Sequence, residues 1–218
     1  MEINNNFYRS LSGIGVELSG IKPDRQCDIE RTILQASSLI DSGDRRILGL
    51  ILSWIKVHGS IICVGKLKRI HEIELTGNPQ VLSGFAFYAI SEGHHEWKTL
   101  SKEFSQKSLW GETNEFILKR SGEFAPFKKA GLLIPNNFIR IREQDILTRE
   151  QLCNKHLQVR LRTIFGSNLR ADAIFYLSKG VNTATTLMKA IGCSYEPAHR
   201  IMSDLKTAGS LKLPALKL

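Results

Sequence analysis

The side chains best equipped for chemistry are few and scattered. "GHHEW", Gly93 to Trp97, sets two histidines side by side, which invites a metal or general-base reading. Adjacent side chains on a helix point about 100° apart, so one ion could not take both without ligands from elsewhere. An exposed loop or helix start explains the pair better. His58 and His71 fall near the ends of expected helices, where an imidazole suits the dipole. Cys27, Cys63, Cys153 and Cys193 form no CxxC pair and stand at no metal-ligand spacing from a histidine. Free thiols in a reducing compartment are the expectation. Gly13 and Gly15 in "SGIGVELSG" give GxG without the third glycine or a preceding strand, too little for a nucleotide loop. GxSxG, HExxH, Walker and EF-hand patterns are absent. These residues predict no enzymatic activity, no cofactor and no metal.

A second set of polar residues is organised by spacing. "TATTLMKAIGCSYEPAHRIMSDLKTAGS" carries Ala184, Leu187, Met188 and Ile191 at i, i+3, i+4 and i+7, and Ala198, Ile201, Met202 and Leu205 at the same intervals. Two identical stripes predict two helices that bury their faces against each other. Gly192 follows the first stripe as a left-handed exit needs. Thr183 or Asn182 can cap the first helix and Ser194 the second, with Pro197 in the first turn, where its missing N–H costs nothing. At 100° per residue the opposite face of the second helix holds Glu196, Arg200, Ser203 and Thr207, flanked by His199 and Lys206. An earlier segment, "SNLRADAIFYLSKG", predicts a supporting helix capped by Ser167 or Asn168, with Ile174, Phe175 and Leu177 on its core face, ended by Gly180.

Charge falls on the same region. The 218 residues carry +9, with 30 Lys and Arg against 21 Asp and Glu. Ten of those basic residues and three acidic ones lie between 151 and 218, so +7 belongs to that third of the chain. A basic excess of this kind points to an anionic partner and says nothing about fold.

The order helix, "TATTLMKAIGCSYEPAHRIMSDLKTAGSL" resembles the winged helix-turn-helix domains of bacterial transcription regulators, broadly MarR/ArsR-like, over Ser167 to Leu211. The resemblance implies that Tyr195–Ala208 is a recognition helix lying in a major groove. Arg200 would then reach guanine, Ser203 a base or phosphate, His199 and Lys206 the backbone, and Glu196 a cytosine amino group or its own helix N-terminus. Thr183, Ser194, Tyr195, Arg170 and Lys189 complete the expected DNA-binding set. Leu205, Gly209 and Leu211 resemble the run into a first wing strand. Nine residues follow Gly209, Pro214 among them, so either the wing is vestigial or the natural chain continues past this sequence. The implied function is sequence-specific binding of double-stranded DNA by a homodimeric regulator, with residues 28–147 available to sense a small-molecule effector. A protein-interaction adaptor or antitoxin-like partner on the same fold is the alternative.

The rest of the chain must position that region. The expectation is a mainly α protein with an N-terminal helical bundle, a small β-hairpin region and a C-terminal winged-helix-like domain. Residues 1–27, rich in Asn, Ser and Gly, are expected as a loosely ordered lead-in. Residues 28–147 follow as a helical domain. Its helices are expected at Asp28–Ile40, Asp44–His58, Lys66–Leu75, around Val81 to Ser91, and after Gly93 through Trp97, Leu100 and Phe104. Ile61–Val64 could form a short strand. "LLIPNNFIRIR", residues 132–142, reads as the hairpin, turning at Asn136-Asn137. Residues 148–218 then comprise a connecting helix from Thr148 to Phe165, a candidate dimer interface, and the helix-turn-helix. The apolar run Ile47 to Ile55 is too short for a membrane span, and "MEINNNFYRSLSGIG" lacks the pattern of a signal peptide. A cytoplasmic location is expected.

Overall fold

The Asn-rich start of the chain is a helix. The computed structural model describes residues 2–110 and 114–207, and α1 spans Glu2–Gly13. Phe7, Leu11 and Ile14, spaced i, i+4 and i+7, are fully buried, and the Trp54 indole donates to the Ile14 carbonyl at 2.7 Å. The expected loose lead-in over 1–27 is therefore corrected. Asn5 and Asn6 are exposed on the outer side of a helix whose apolar stripe belongs to the core.

Four further helices build most of the N-terminal body. They are α2 (Ile29–Asp41), α3 (Arg45–His58), α4 (Val64–Glu74) and α5 (Pro79–Ser91). Asp28, Asp44 and Asn78 cap α2, α3 and α5 by accepting from first-turn amides. Ile61–Val64 is no strand: Gly59–Ile61 is a tight helical turn and Val64 already opens α4. After Gly93 a 3-10 turn, His95–Leu100, replaces the expected helix. Trp97 is fully buried there and donates to the Gly59 carbonyl at 3.1 Å.

The expected hairpin over 132–142 does not form. β1 (Lys107–Ser108) and β2 (Leu132–Leu133) pair in parallel, Lys107 with Leu132 and Ser108 with Leu133. Between them lie α6 (Asn114–Ser121) and α7 (Ala125–Lys129). Pro135 has no amide to give a partner strand, and Asn136–Phe138 curl into a 3-10 turn. The neighbouring backbone is satisfied upstream instead, with Phe124 N donating to Ile134 O at 2.8 Å and Asn136 N to Gly122 O at 3.0 Å. Residues 140–142 lie against α3.

The expected connecting helix Thr148–Phe165 is two helices, α8 (Arg149–Lys155) and α9 (Leu157–Phe165). Thr148 caps the first in a reciprocal capping box with Gln151. The break is His156, extended at φ −129° and ψ 112°, with its imidazole fully buried. The chain ends in α10 (Leu169–Ser178), α11 (Ala184–Ile191) and α12 (Tyr195–Thr207). One apolar core runs from Phe7 to Val159 and a second from Leu161 to Met202, so α8 and the start of α9 pack with the N-terminal body. The protein is mainly α, and among the described residues no single helix is long and apolar enough to cross a membrane.

Candidate nucleic-acid interface

The last three helices form a small bundle about the second core. Leu187, Ile191, Ala198, Ile201 and Met202 are buried, with Ala184, Met188 and Leu205 half-buried beside them. Both stripes therefore face inward. On α10 the buried face is Ala171, Asp172, Phe175 and Tyr176; Ile174 and Leu177, expected there, are only half-buried. Thr183 caps α11 in a capping box with Thr186. Gly192 ends α11 in the left-handed region at φ +63°. A Cβ there would sit 3.2 Å from Ile70 Cγ1 on α4, so the turn needs glycine both for its backbone and for its close approach to the N-terminal body.

That approach is reinforced by polar contacts. Arg31 on α2 donates to the Ala190 carbonyl at 3.2 Å and to the Tyr176 hydroxyl at 3.0 Å, and pairs with Glu74 at 2.6 Å. With the inner side of the helix pair seated on α2 and α4, the outer side of α12 is left in solvent. Ser194, Tyr195, Glu196, His199, Arg200, Ser203 and Lys206 are all exposed. The Tyr195 and His199 rings stack, centroids 5.7 Å apart. Among the described residues no carboxylate pairs with Arg200 or Lys206. Lys189 is exposed on α11, apart from that helix. Arg170 is exposed on α10 but tied to Asp204 of α12 at 2.6 Å, so its charge is already opposed. The run through Leu205, Gly209 and Leu211 that resembles the entry to a wing strand falls mostly on residues 208–218, outside the described ones.

Between the two cores lies a set of buried charges that sequence reading missed. Lys66, Glu30, Asp172 and Arg162 are almost wholly buried and Asp28 nearly so. Arg162 bonds Glu30 Oε1 at 2.6 Å and Asp172 Oδ1 at 2.7 Å. Lys66 pairs with Asp28, with Glu30 at 2.9 Å and with Asp172 at 3.7 Å. Tyr176 donates to Asp28 at 2.7 Å, and Gln158 donates to Asp172 at 2.9 Å. Burial alone would raise the Asp28 and Glu30 carboxyls. Lys66 outweighs it at Asp28, and Arg162 with Lys66 outweighs it at Glu30, so both are held below their usual range. Asp172 is pushed up, chiefly by burial and further by Glu30. Three carboxylates face two cations, and the surplus is least comfortable at Asp172. The missed signal was phase: Asp172 is in register with Phe175 and Tyr176, and Arg162 with Val159 and Gln158.

Cys27 and His156, remote in sequence, meet at 3.7 Å from Sγ to Nε2. Burial pushes the thiol up to about 12 and the imidazole down to about 4. Both shifts oppose a thiolate–imidazolium pair, so the geometry gives a neutral contact and not an activated nucleophile. The "GHHEW" histidines separate: His94 lies against Gly59 with Nε2 3.4 Å from the Lys56 carbonyl, while His95 is exposed. Among the described residues no three His, Cys, Asp or Glu side chains converge as a metal would need. No family model, curated protein or solved structure matches this chain.

Proposed function

We propose that this protein binds double-stranded DNA through the exposed side of α12 and acts as a transcription regulator of the winged helix-turn-helix kind. The observation that carries the reading is the outer face of α12. Arg200, Ser203 and Lys206 lie in solvent on one helix, with neither cation paired to a carboxylate among the described residues, while the inner face is fixed by a tight turn. A helix so held can enter a major groove. Arg200 supplies a bidentate donor for guanine, Lys206 a point charge for phosphate, and the stacked Tyr195 and His199 a polar edge at the helix start. Specific reading by one helix gives few base contacts, so the active species is proposed to be a homodimer with half-sites about 34 Å apart. The segment 148–165, expected as one connecting helix and a candidate interface, is divided at His156 into α8 and α9. At its end α9 exposes two large apolar side chains, Ile164 and Phe165.

Fluorescence anisotropy with a selected duplex, read across a salt series, tests this. Replacing Arg200 by Ala should weaken specific binding by about 1–3 kcal/mol and relax one base position. Replacing Lys206 by Ala should weaken all duplexes alike and lower the salt slope by about one. Duplex affinity unmoved by either change would transfer the exposed face to a protein partner, the alternative reading.

A further inference from the structure

A groove of about 460 Å³ opens far from α12, between the start of α3, residues 138–145 and the loop at Glu17–Leu18. Arg45, Arg46, Arg140 and Arg142 line it, opposed by Glu17 and Asp145. Arg142 lies 3.9 Å from Asp145. Among the described residues no carboxylate pairs with Arg45, Arg46 or Arg140. The Arg45 guanidinium rests over two rings, 5.1 Å from the Trp110 centroid and 4.7 Å from that of Phe138. Those contacts orient it by its faces, and among the described residues no acceptor meets its N–H edge.

The wall opposite is held just as firmly. Ser53 on α3 accepts from the Arg142 amide at 2.9 Å and donates to the Gly49 carbonyl at 2.6 Å. A Cβ on Gly49 would come within 2.7 Å of the Arg140 carbonyl oxygen, so glycine is what lets the arginine-bearing segment lie on α3. Asp44 already takes the Arg46 and Ile47 amides of α3, and among the described residues the side chains of Arg45, Arg46 and Arg140 meet no acceptor. Planar guanidiniums converging from two segments suit the tetrahedral oxygens of phosphate, and the volume suits a small ligand.

We propose that this groove binds a small anion bearing two or three linked phosphates, held by Arg45, Arg46 and Arg140. Its location separates it from the α12 surface. Arg31, near the start of α2, holds the Ala190 carbonyl, whereas Trp110 donates to the Ile40 carbonyl at the other end of that helix, at 3.0 Å. Nine residues of helix put roughly 13 Å between those anchors. The inference stands whether or not α12 reads DNA.

Isothermal titration of the full chain with pyrophosphate, and in parallel with ATP, tests it at low salt. One saturable site is expected, at least tenfold weaker in Arg140→Ala and in Arg46→Ala and unchanged in Lys206→Ala, with circular dichroism confirming that each variant is folded. ATP binding more tightly than pyrophosphate would identify a nucleotide as the source of the phosphates; equal affinities would identify the phosphates alone. Absence of saturable binding by either probe overturns the proposal. So does binding that Lys206→Ala abolishes and Arg140→Ala leaves intact, since that marks the α12 surface as a general anion sink. A loss of duplex affinity in Arg140→Ala without any pyrophosphate site would assign the groove to a nucleic-acid track and overturn it equally.

Discussion

His58 and His156 show how single residues set the response of the protein to acid. Both rings are fully buried. The Nε2 of His58 reaches the Leu147 carbonyl at 2.8 Å, and the Nδ1 of each ring has no hydrogen-bond partner among the described residues. A second proton would need an acceptor that the core does not supply. Burial accordingly lowers both groups from 6.5 to about 4. Between those values the unfolded chain binds more protons than the folded one, so stability is full above pH 6.5 and falls as pH drops towards 4. Each histidine contributes about 3 kcal/mol to that loss at its limit. Urea midpoints between pH 7 and pH 4.5 should therefore decline, and His58→Gln should flatten the decline. A midpoint constant over that range would show that these rings are hydrated. The buried carboxylates act lower: Asp28 and Glu30 are held below their usual range, so their contribution is lost only below about pH 4.

At the scale of elements, legibility followed local pattern. The stripes on α11 and α12, the Thr183 cap and the left-handed Gly192 were readable because each lies within one turn of its cause. The α1 stripe was equally local, yet Phe7, Leu11 and Ile14 were outweighed by the asparagines around them. The false hairpin had a different origin. Alternation over 138–142 is real, but Ile139 and Ile141 pack on the first core while the intervening arginines face a groove, and no partner strand is involved. The break at His156 had no local signal at all, since the sequence around it continues a helix and only burial against Cys27 and Phe175 explains the turn. The exposed face of α12 was read correctly as exposed, but the neutralisation of Arg170 by Asp204 depends on how α10 and α12 cross. The turn between α11 and α12 is the element most open to test. Gly192→Ala imposes a left-handed backbone on a residue with Cβ, at about 1–2 kcal/mol, before any contact with Ile70. Urea denaturation should show a loss at least that large, and a loss under 0.5 kcal/mol would mean, on the scale of ordinary surface substitutions, that the turn relaxes freely.

For the molecule as a whole, the buried charges decide whether the two cores unfold together. Asp28, Glu30 and Lys66 come from the N-terminal body, and Arg162, Asp172, Gln158 and Tyr176 from α9 and α10. All three tryptophans, Trp54, Trp97 and Trp110, precede residue 111, so their fluorescence follows the N-terminal body while far-ultraviolet circular dichroism follows every helix. In the native sequence the two signals should change at one urea concentration. Arg162→Met leaves Glu30 and Asp172 facing each other with Lys66 alone between them, a loss of about 3–5 kcal/mol. The dichroism transition should then begin before the fluorescence transition. Coincident curves in that variant would mean that apolar contacts alone join the halves. The divided ownership of this cluster also bears on modularity. Helix pairs of this kind invite grafting onto other bodies, but residues 157–207 could be transplanted intact only to a host that offers two carboxylates and a lysine at the same seat. Any other host would inherit an arginine and an aspartate made for partners it lacks.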